Sequence, residues 1–195
     1  MKKILILLLF TSVLSAQRFN ILNGKPDNLK GISEYNMVFD YSGMTVLGFD
    51  SEEAFLKEKL EKRKEKEGKA EEFEKNWYED RANKYEPKFI EYFNNRFEDG
   101  KIKATRNPSA KYTMTVKTVW IYPGYNVGVG DEPAKINAII TVSETANPQQ
   151  VLLTMEFPKS VGLEQGQFDF DQGYRIAGAY EKLAKNMVMQ IKRFN

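Results

Sequence analysis

The chain has 195 residues, of which 29 are lysine or arginine and 27 are aspartate or glutamate, and it contains neither histidine nor cysteine. The missing residue types exclude Ser-His and Cys-His nucleophiles, thiolate catalysis and the usual zinc sites. The near balance of charge argues against a nucleic-acid-binding protein, which would carry a strong basic excess.

A secretory signal peptide is predicted at residues 1–16, where two lysines precede an apolar run over 4–14 and small residues follow. The run is shorter than the roughly 20 residues that a spanning helix needs, which disfavours the alternative of an N-terminal membrane anchor. No cysteine is available for a lipid anchor. We therefore expect a periplasmic or secreted protein that begins near Gln17 and, without the two leader lysines, carries 27 basic and 27 acidic residues.

The first elements after the leader are an arm, a strand and the start of a helix. Residues 17–31 predict an extended arm, and residues 35–41 alternate as a half-buried strand that continues over 44–49. Asp50 and Glu53 have the spacing of a capping box, which predicts that a helix begins there.

A charged segment over residues 57–76 follows, with eight basic and seven acidic residues and only Leu60 and Phe73 as large apolar ones. Such a pattern is typical of a solvated, partly mobile helical excursion. A partner-binding coiled coil is the alternative, but the apolar positions hold no heptad. Membrane binding by this segment is disfavoured by its balanced charge and thin apolar face.

A second helix is predicted over 77–97, where aromatic residues recur at helical spacing from Trp77 to Phe97. Pro87 lacks an amide hydrogen and is expected to kink this helix or to begin its last segment. Residues 101–105 predict a short edge strand.

The region from 111 to 195 organises the rest of the chain. Alternating apolar residues predict three strands, over 112–122, 135–143 and 151–157, and turn residues between them indicate an antiparallel meander. A closing helix follows, capped by Asp171. Its apolar stripe, which must pack on the sheet, comprises Ile176, Tyr180, Leu183, Ala184, Met187, Val188 and Ile191.

These elements predict one α+β domain over residues 17–195. We expect a two-layer sandwich: a mostly antiparallel sheet of four to five strands, a long N-terminal helical excursion, and a C-terminal helix packed on one sheet face. About 180 residues without disulfides suffice to bury roughly 70% of the unfolded surface in one core.

Few residue patterns indicate chemistry, and we predict no catalytic residue, metal site or cofactor. Asp131 and Glu132 are interpreted as solvated loop carboxylates. Asp169 and Asp171 begin a calcium-loop-like pattern, but no glutamate occupies the twelfth position, so helix capping is the better interpretation. The glycines over 124–130 form no phosphate-binding motif and instead predict a hairpin loop.

One aromatic group is a candidate binding surface. Trp120, Tyr122 and Tyr125 gather at the end of a strand and in the loop after it. Loops on rigid sheets often carry binding sites, and tyrosine and tryptophan are frequent interface anchors. The alternative is that Trp120 and Tyr122 belong to the core, as their alternation with Met114 and Val116 suggests.

Several short strings carry a resemblance. They are FDYS at 39–42, the run from Trp77 through Asp80-Arg81 to YEPKF at 85–89, YTM at 112–114, YPG at 122–124, ETANP at 144–148, and Phe168, Asp171, Gly173, Arg175-Ile176 and Ala179-Tyr180. Together they resemble a family of small secreted or periplasmic proteins of Gram-negative bacteria that has no assigned activity. The resemblance implies an envelope location and a single domain, and it supplies no catalytic residue. The layout is loosely similar to periplasmic α+β envelope-assembly modules, such as lipoprotein activators of peptidoglycan synthases, although fold likeness alone does not establish function.

From these observations we expect a non-catalytic protein that binds an envelope partner. The alternative is a carboxylate-dependent hydrolase acting on glycans, which requires two acidic side chains roughly 5–10 Å apart across a pocket.

Overall fold

The computed structural model describes residues 19–97 and 100–194, so the predicted signal peptide lies outside the described residues. The strands are Asn20–Gly24 (β1), Glu34–Asp40 (β2), Thr45–Val46 (β3), Lys103–Thr105 (β4), Tyr112–Tyr122 (β5), Tyr125–Asn126 (β6), Asp131–Glu132 (β7), Lys135–Glu144 (β8) and Val151–Val161 (β9). The α-helices are Glu52–Glu61 (α1), Lys69–Asp80 (α2), Glu86–Asn95 (α3) and Gln172–Phe194 (α4), and a π-helical segment, Arg81–Tyr85, joins α2 to α3. Within the described residues the α-helices therefore form three segments, because α2, the π-helical segment and α3 are continuous.

Seven strands form one mixed sheet in the order β1-β9-β8-β5-β2-β4, with β3 also paired to β5. The predicted antiparallel meander is confirmed, since β5 pairs with β8 and β8 with β9 in antiparallel register. In contrast, β2 runs parallel to both β5 and β4, and β3 runs parallel to β5. A small hairpin of β6 and β7 projects between β5 and β8.

The predicted fold class is wrong in its sheet. We expected four to five strands, whereas the sheet has seven and is mixed: it is mostly antiparallel, as predicted, but also contains parallel pairs. The reason is the helical stretch between β2 and β5, which returns the chain to the end at which β2 began. A long crossover of this kind is what parallel pairing requires. The predicted α+β composition and long C-terminal helix are confirmed.

The prediction of one solvated helical excursion over 57–76 is also wrong. The helix α1 ends at Glu61, the chain turns, and α2 begins after Gly68, whose φ of 71° lies in the left-handed region. The two helices form a hairpin because Phe55 packs on Trp77, with their ring centroids 4.7 Å apart. The N-cap of α1 is Ser51, whose hydroxyl accepts from the amide of Ala54 at 3.1 Å, one residue after the predicted position.

The π-helical segment is a consequence of Pro87. Proline has no amide hydrogen and its ring clashes with the preceding turn of a regular helix. The backbone widens before it, and the Glu86 amide donates to the Arg81 carbonyl five residues back. This widening shifts the apolar stripe, so that Ala82 is exposed while Tyr85 is buried.

The core lies between one face of the sheet and the helices. All seven predicted stripe residues of α4 are buried, and α4 packs both on β8 and β9 and on α3. The Tyr180 hydroxyl forms a 2.5 Å hydrogen bond with Thr118 of β5, which joins α4 to the sheet centre. The predicted cap is confirmed, because Asp171 accepts from the amide of Gly173 at 2.7 Å.

Candidate functional site

The end of the sheet at which β5 finishes carries two neighbouring loops. The first is the β6–β7 hairpin, in which Tyr125 lies opposite Glu132. Gly124 enters it with a φ of 66°, and a Cβ atom there would lie 2.4 Å from the Glu132 carbonyl oxygen. This close approach requires glycine, which agrees with the predicted hairpin loop. The second loop, residues 162–171, leads into α4.

Arg175 of α4 holds the two loops together. Its guanidinium donates to the Asp169 and Phe170 carbonyls at 2.7 and 3.0 Å, and to the Pro123 and Gly124 carbonyls at 3.3 and 3.4 Å. A small pocket of about 30 Å³ has walls from both loops. Both loops are therefore fixed to the same helix, α4.

Both loops expose apolar side chains. Val129 is 99% exposed and Phe170 is 66% exposed. We define the loop surface as these two residues together with Tyr125, Val127 and Phe168, all of which are exposed. Acidic side chains flank it, since Asp131, Glu132, Glu164 and Asp169 line the pocket between the loops. An apolar surface with an acidic border fits a partner with the opposite rim charge.

The predicted aromatic residues are divided between two places. A bulge between Thr118 and Trp120 reverses the alternation of β5, so that Ile121 turns inward and is buried. Trp120 and Tyr122 therefore lie on the face without helices and are half-buried, which contradicts their assignment to the core. Tyr125 belongs to the loop surface, whereas Trp120 lies beside Thr45 of β3.

Tyr122 connects β5 to the hairpin. Its hydroxyl donates to Glu132 at 2.6 Å, and Lys135 binds the other oxygen of the same carboxylate. Desolvation and then the hydrogen bond to Glu132 raise the pKa of Tyr122 to about 12, while Lys135 and Tyr122 together lower the pKa of Glu132. The neutral phenol and the ionised carboxylate are therefore the stable pair.

Replacing Glu132 by glutamine is expected to lower the pKa of Tyr122 from about 12 part of the way towards the ordinary value near 10. The negative charge that opposes tyrosinate is lost, while desolvation remains. Because desolvation and the Glu132 contact raise the folded pKa, their combined contribution to folding is fully present below pH about 10 and is lost as the pH rises through about 12. An alkaline tyrosinate absorbance titration, taken as the difference from Tyr122→Phe in each background, measures the shift. An unchanged titration would contradict the Glu132 contact.

An acidic cleft of about 460 Å³ lies at the carboxyl end of β2, a location where ligands often bind in parallel sheets. Its walls carry Asp40, Asp50, Glu52, Glu53 and Arg81. Glu52 forms an ion pair with Arg81 and accepts a hydrogen bond from the indole of Trp77 in α2. Burial raises the pKa of Asp40, but hydrogen bonds from Ser42, together with the charge and hydrogen bond of Lys117, outweigh it and keep that pKa below its ordinary value.

Sequence reasoning missed Arg175, the acidic cleft and four of the five loop-surface residues. A signal for the loop surface was present, since valine alternates with glycine over 127–130 and phenylalanine with aspartate over 168–171. A single apolar residue between turn residues does not belong to a strand face that packs on the core. Its side chain is therefore expected to be exposed to solvent. Arg175 holds together two loops that are distant in the sequence, so no local sequence pattern indicates its role.

Comparison with known proteins finds no match: no family model, no curated protein and no solved structure is similar to this chain. Across residues 19–97 and 100–194, every helix is too short or too polar to cross a membrane. The same residues contain no group of three or more aspartates or glutamates placed to hold a metal ion. The chain is thus an α+β protein whose mixed sheet presents exposed apolar loops at one end.

Proposed function

We propose that this chain is a non-catalytic periplasmic or secreted protein that binds a protein partner of the bacterial envelope through the loop surface. The leader-like first residues and the family resemblance support the location. The observation that carries the binding proposal is the exposure of Val127, Val129, Phe168 and Phe170 on two loops pinned by Arg175. Large apolar side chains exposed on neighbouring loops are typical of interaction sites.

Pinning the loops matters for affinity. A loop that must be ordered on binding loses conformational entropy, and this loss weakens the complex. Arg175 holds both backbones in advance through four carbonyl contacts, so its hydrogen bonds to Gly124 and Phe170 exist before any partner arrives. The acidic border indicates a partner whose apolar site is flanked by lysine or arginine.

Replacing Val129 and Phe170 by serine is expected to weaken partner binding about thirtyfold, which corresponds to losing an interface anchor worth about 2 kcal/mol. Crosslinking and pull-down of the mature protein from its native envelope fraction identify the partner, and titration of the purified pair measures the affinity. Both side chains are exposed, so the melting temperature should not change. A matched control replaces Leu22 and Val38, which are 54% and 41% exposed elsewhere, by serine.

Retention of the same dominant partner by the double variant would overturn the proposed surface. The aromatic residues are tested in the same assay with Tyr122→Ala combined with Tyr125→Ala. If every partner stays bound to that variant, the aromatic pair is not part of the interface. Loss of binding in the control variant as well would indicate general damage to the sheet.

The second candidate is a carboxylate-dependent glycan hydrolase, favoured by the four carboxylates of the acidic cleft. Two features weigh against it. A general acid must hold a proton near neutral pH, whereas the pKa of Asp40 is lowered. Glu52 is already occupied, because one of its oxygens accepts from both Arg81 and the indole of Trp77. Release of reducing ends from peptidoglycan, abolished by Asp40→Asn or Glu53→Gln, would favour the hydrolase over the binding protein.

A further inference from the structure

A second surface lies at the other end of the helical layer, where the last turns of α3 face the second half of α4. A groove of about 230 Å³ runs between them. Its walls carry Tyr92 and Arg96 on one side and Lys185, Val188, Met189 and Lys192 on the other. We call this the cationic groove.

The cationic groove brings three cations, Arg96, Lys185 and Lys192, to one place. Among the residues that the structure describes, Arg96, Lys185 and Lys192 form no ion pair. The carboxylate available one turn earlier, Glu181, is already paired with Lys88 at 3.7 Å. Like charges that converge on a groove repel one another, so an anion bound there would be stabilised by all three.

The cations are positioned by neutral contacts instead. The guanidinium of Arg96 donates to the Tyr92 hydroxyl at 2.5 Å and lies 4.8 Å from the centre of that ring. The ammonium of Lys192 lies 5.4 Å from the centre of the Phe97 ring. Aromatic and hydroxyl partners orient a cation without neutralising it. The positive charges of Arg96 and Lys192 can therefore still attract a ligand.

The helix dipole offers a competing explanation, because cations are favourable near helix C-termini. It accounts for Lys192 and Arg96, which lie in the last turns or at the end of their helices. It does not account for Lys185, which lies nine residues before the end of α4. It also does not explain why Met189, 56% exposed, occupies the same groove rather than a polar residue.

We propose that the cationic groove binds a phosphate group. A guanidinium offers a planar pair of donors and two ammonium groups add point charges, which is the combination that phosphate oxygens favour. The exposed thioether of Met189 provides apolar surface next to the charges, suited to the organic part of a phosphate ester. The phosphate can belong to a soluble ester or to the headgroup of an anionic lipid.

The test uses two probes on the mature protein. Inorganic pyrophosphate is titrated while amide chemical shifts are followed, and co-sedimentation is measured with vesicles of phosphatidylcholine alone or containing phosphatidylglycerol. Saturable shifts confined to the ends of α3 and α4, or sedimentation that needs phosphatidylglycerol, are the expected results. The first identifies a soluble phosphate and the second a lipid headgroup.

Lys185→Gln combined with Lys192→Gln is expected to weaken binding of the responding probe about tenfold, because two of three charge contacts are lost. The matched control is Lys57→Gln with Lys66→Gln, which removes the same charge from exposed lysines of the charged segment. Equal losses in the two variants would show nonspecific attraction and overturn the site. Absence of saturable pyrophosphate shifts, together with sedimentation that does not depend on phosphatidylglycerol, would overturn it as well.

Discussion

Replacing Trp77 by alanine is expected to lower the free energy of unfolding by about 4 kcal/mol, the usual cost of truncating a buried tryptophan. Trp77 is 3% exposed, and its ring packs on Phe55 and Phe73 with centroids 4.7 and 6.5 Å away. Glu52 accepts a hydrogen bond from its indole and keeps its ion pair with Arg81 after the substitution. The loss is therefore mainly packing.

The same substitution is expected to release the α1–α2 hairpin from the core. The turn at 62–68 is rich in lysine, so limited trypsin digestion reports its opening, and urea denaturation gives the free energy. Tyr78→Ala is the matched control, since its ring is 44% exposed and contacts the Arg81 guanidinium 5.0 Å from the ring centre, so its loss should cost about 1 kcal/mol or less. If Trp77→Ala leaves both measurements unchanged, the hairpin is not held by this cluster.

The helical hairpin shows why a local charge pattern was misleading. Within residues 57–76, the sequence offers little to bury, and a solvated helix is the natural interpretation. The anchors lie just outside that window, at Phe55 and Trp77, and they meet only because the chain turns back at Gly68. Arg63 then covers Phe73, with its guanidinium 4.2 Å from the ring centre. Charged side chains thus surround the cluster of Phe55, Phe73 and Trp77, and a charged segment is compatible with a buried aromatic contact.

The strands and the closing helix could be predicted because their periodicity is local. Alternation identified β5, β8 and β9, and a stripe of seven residues identified α4. Strand order could not be predicted, because it depends on which sheet edge the helices leave open. A clue was nevertheless present, since a helical stretch of this length between β2 and β5 permits a parallel crossover.

The candidate site was predictable only in part. Tyr125 was predicted and lies on the loop surface, but the bulge before Trp120 could not be read from alternating residues. One extra residue transfers every later side chain to the opposite face. The interpretation of Trp120 and Tyr122 as core residues therefore failed for a reason that involves β8 as much as β5.

Replacing Gly178 by alanine is expected to destabilise the fold by about 3 kcal/mol, although alanine is the better helix former. Gly178 lies within α4, where the chain of residue 163 passes directly over the helix and its amide donates to the Gly178 carbonyl at 3.1 Å. A Cβ atom at 178 would lie 2.3 Å from the Leu163 carbonyl oxygen, and neither backbone can move aside cheaply. Helix propensity favours alanine by only about 1 kcal/mol, so the steric term decides the sign.

Gly130→Ala is the matched control, because a Cβ atom there meets nothing within 4 Å. Urea denaturation of the two variants compares the same chemical change with and without the contact. The loop of residue 163 continues to Asp169 and Phe170, which Arg175 holds, so Gly178→Ala should also disturb the loop surface and weaken partner binding. Full stability of Gly178→Ala would show that the Leu163 carbonyl lies further from α4 than the 2.3 Å approach requires. Full partner binding in a destabilised Gly178→Ala protein would instead separate the loop surface from the packing of residue 163.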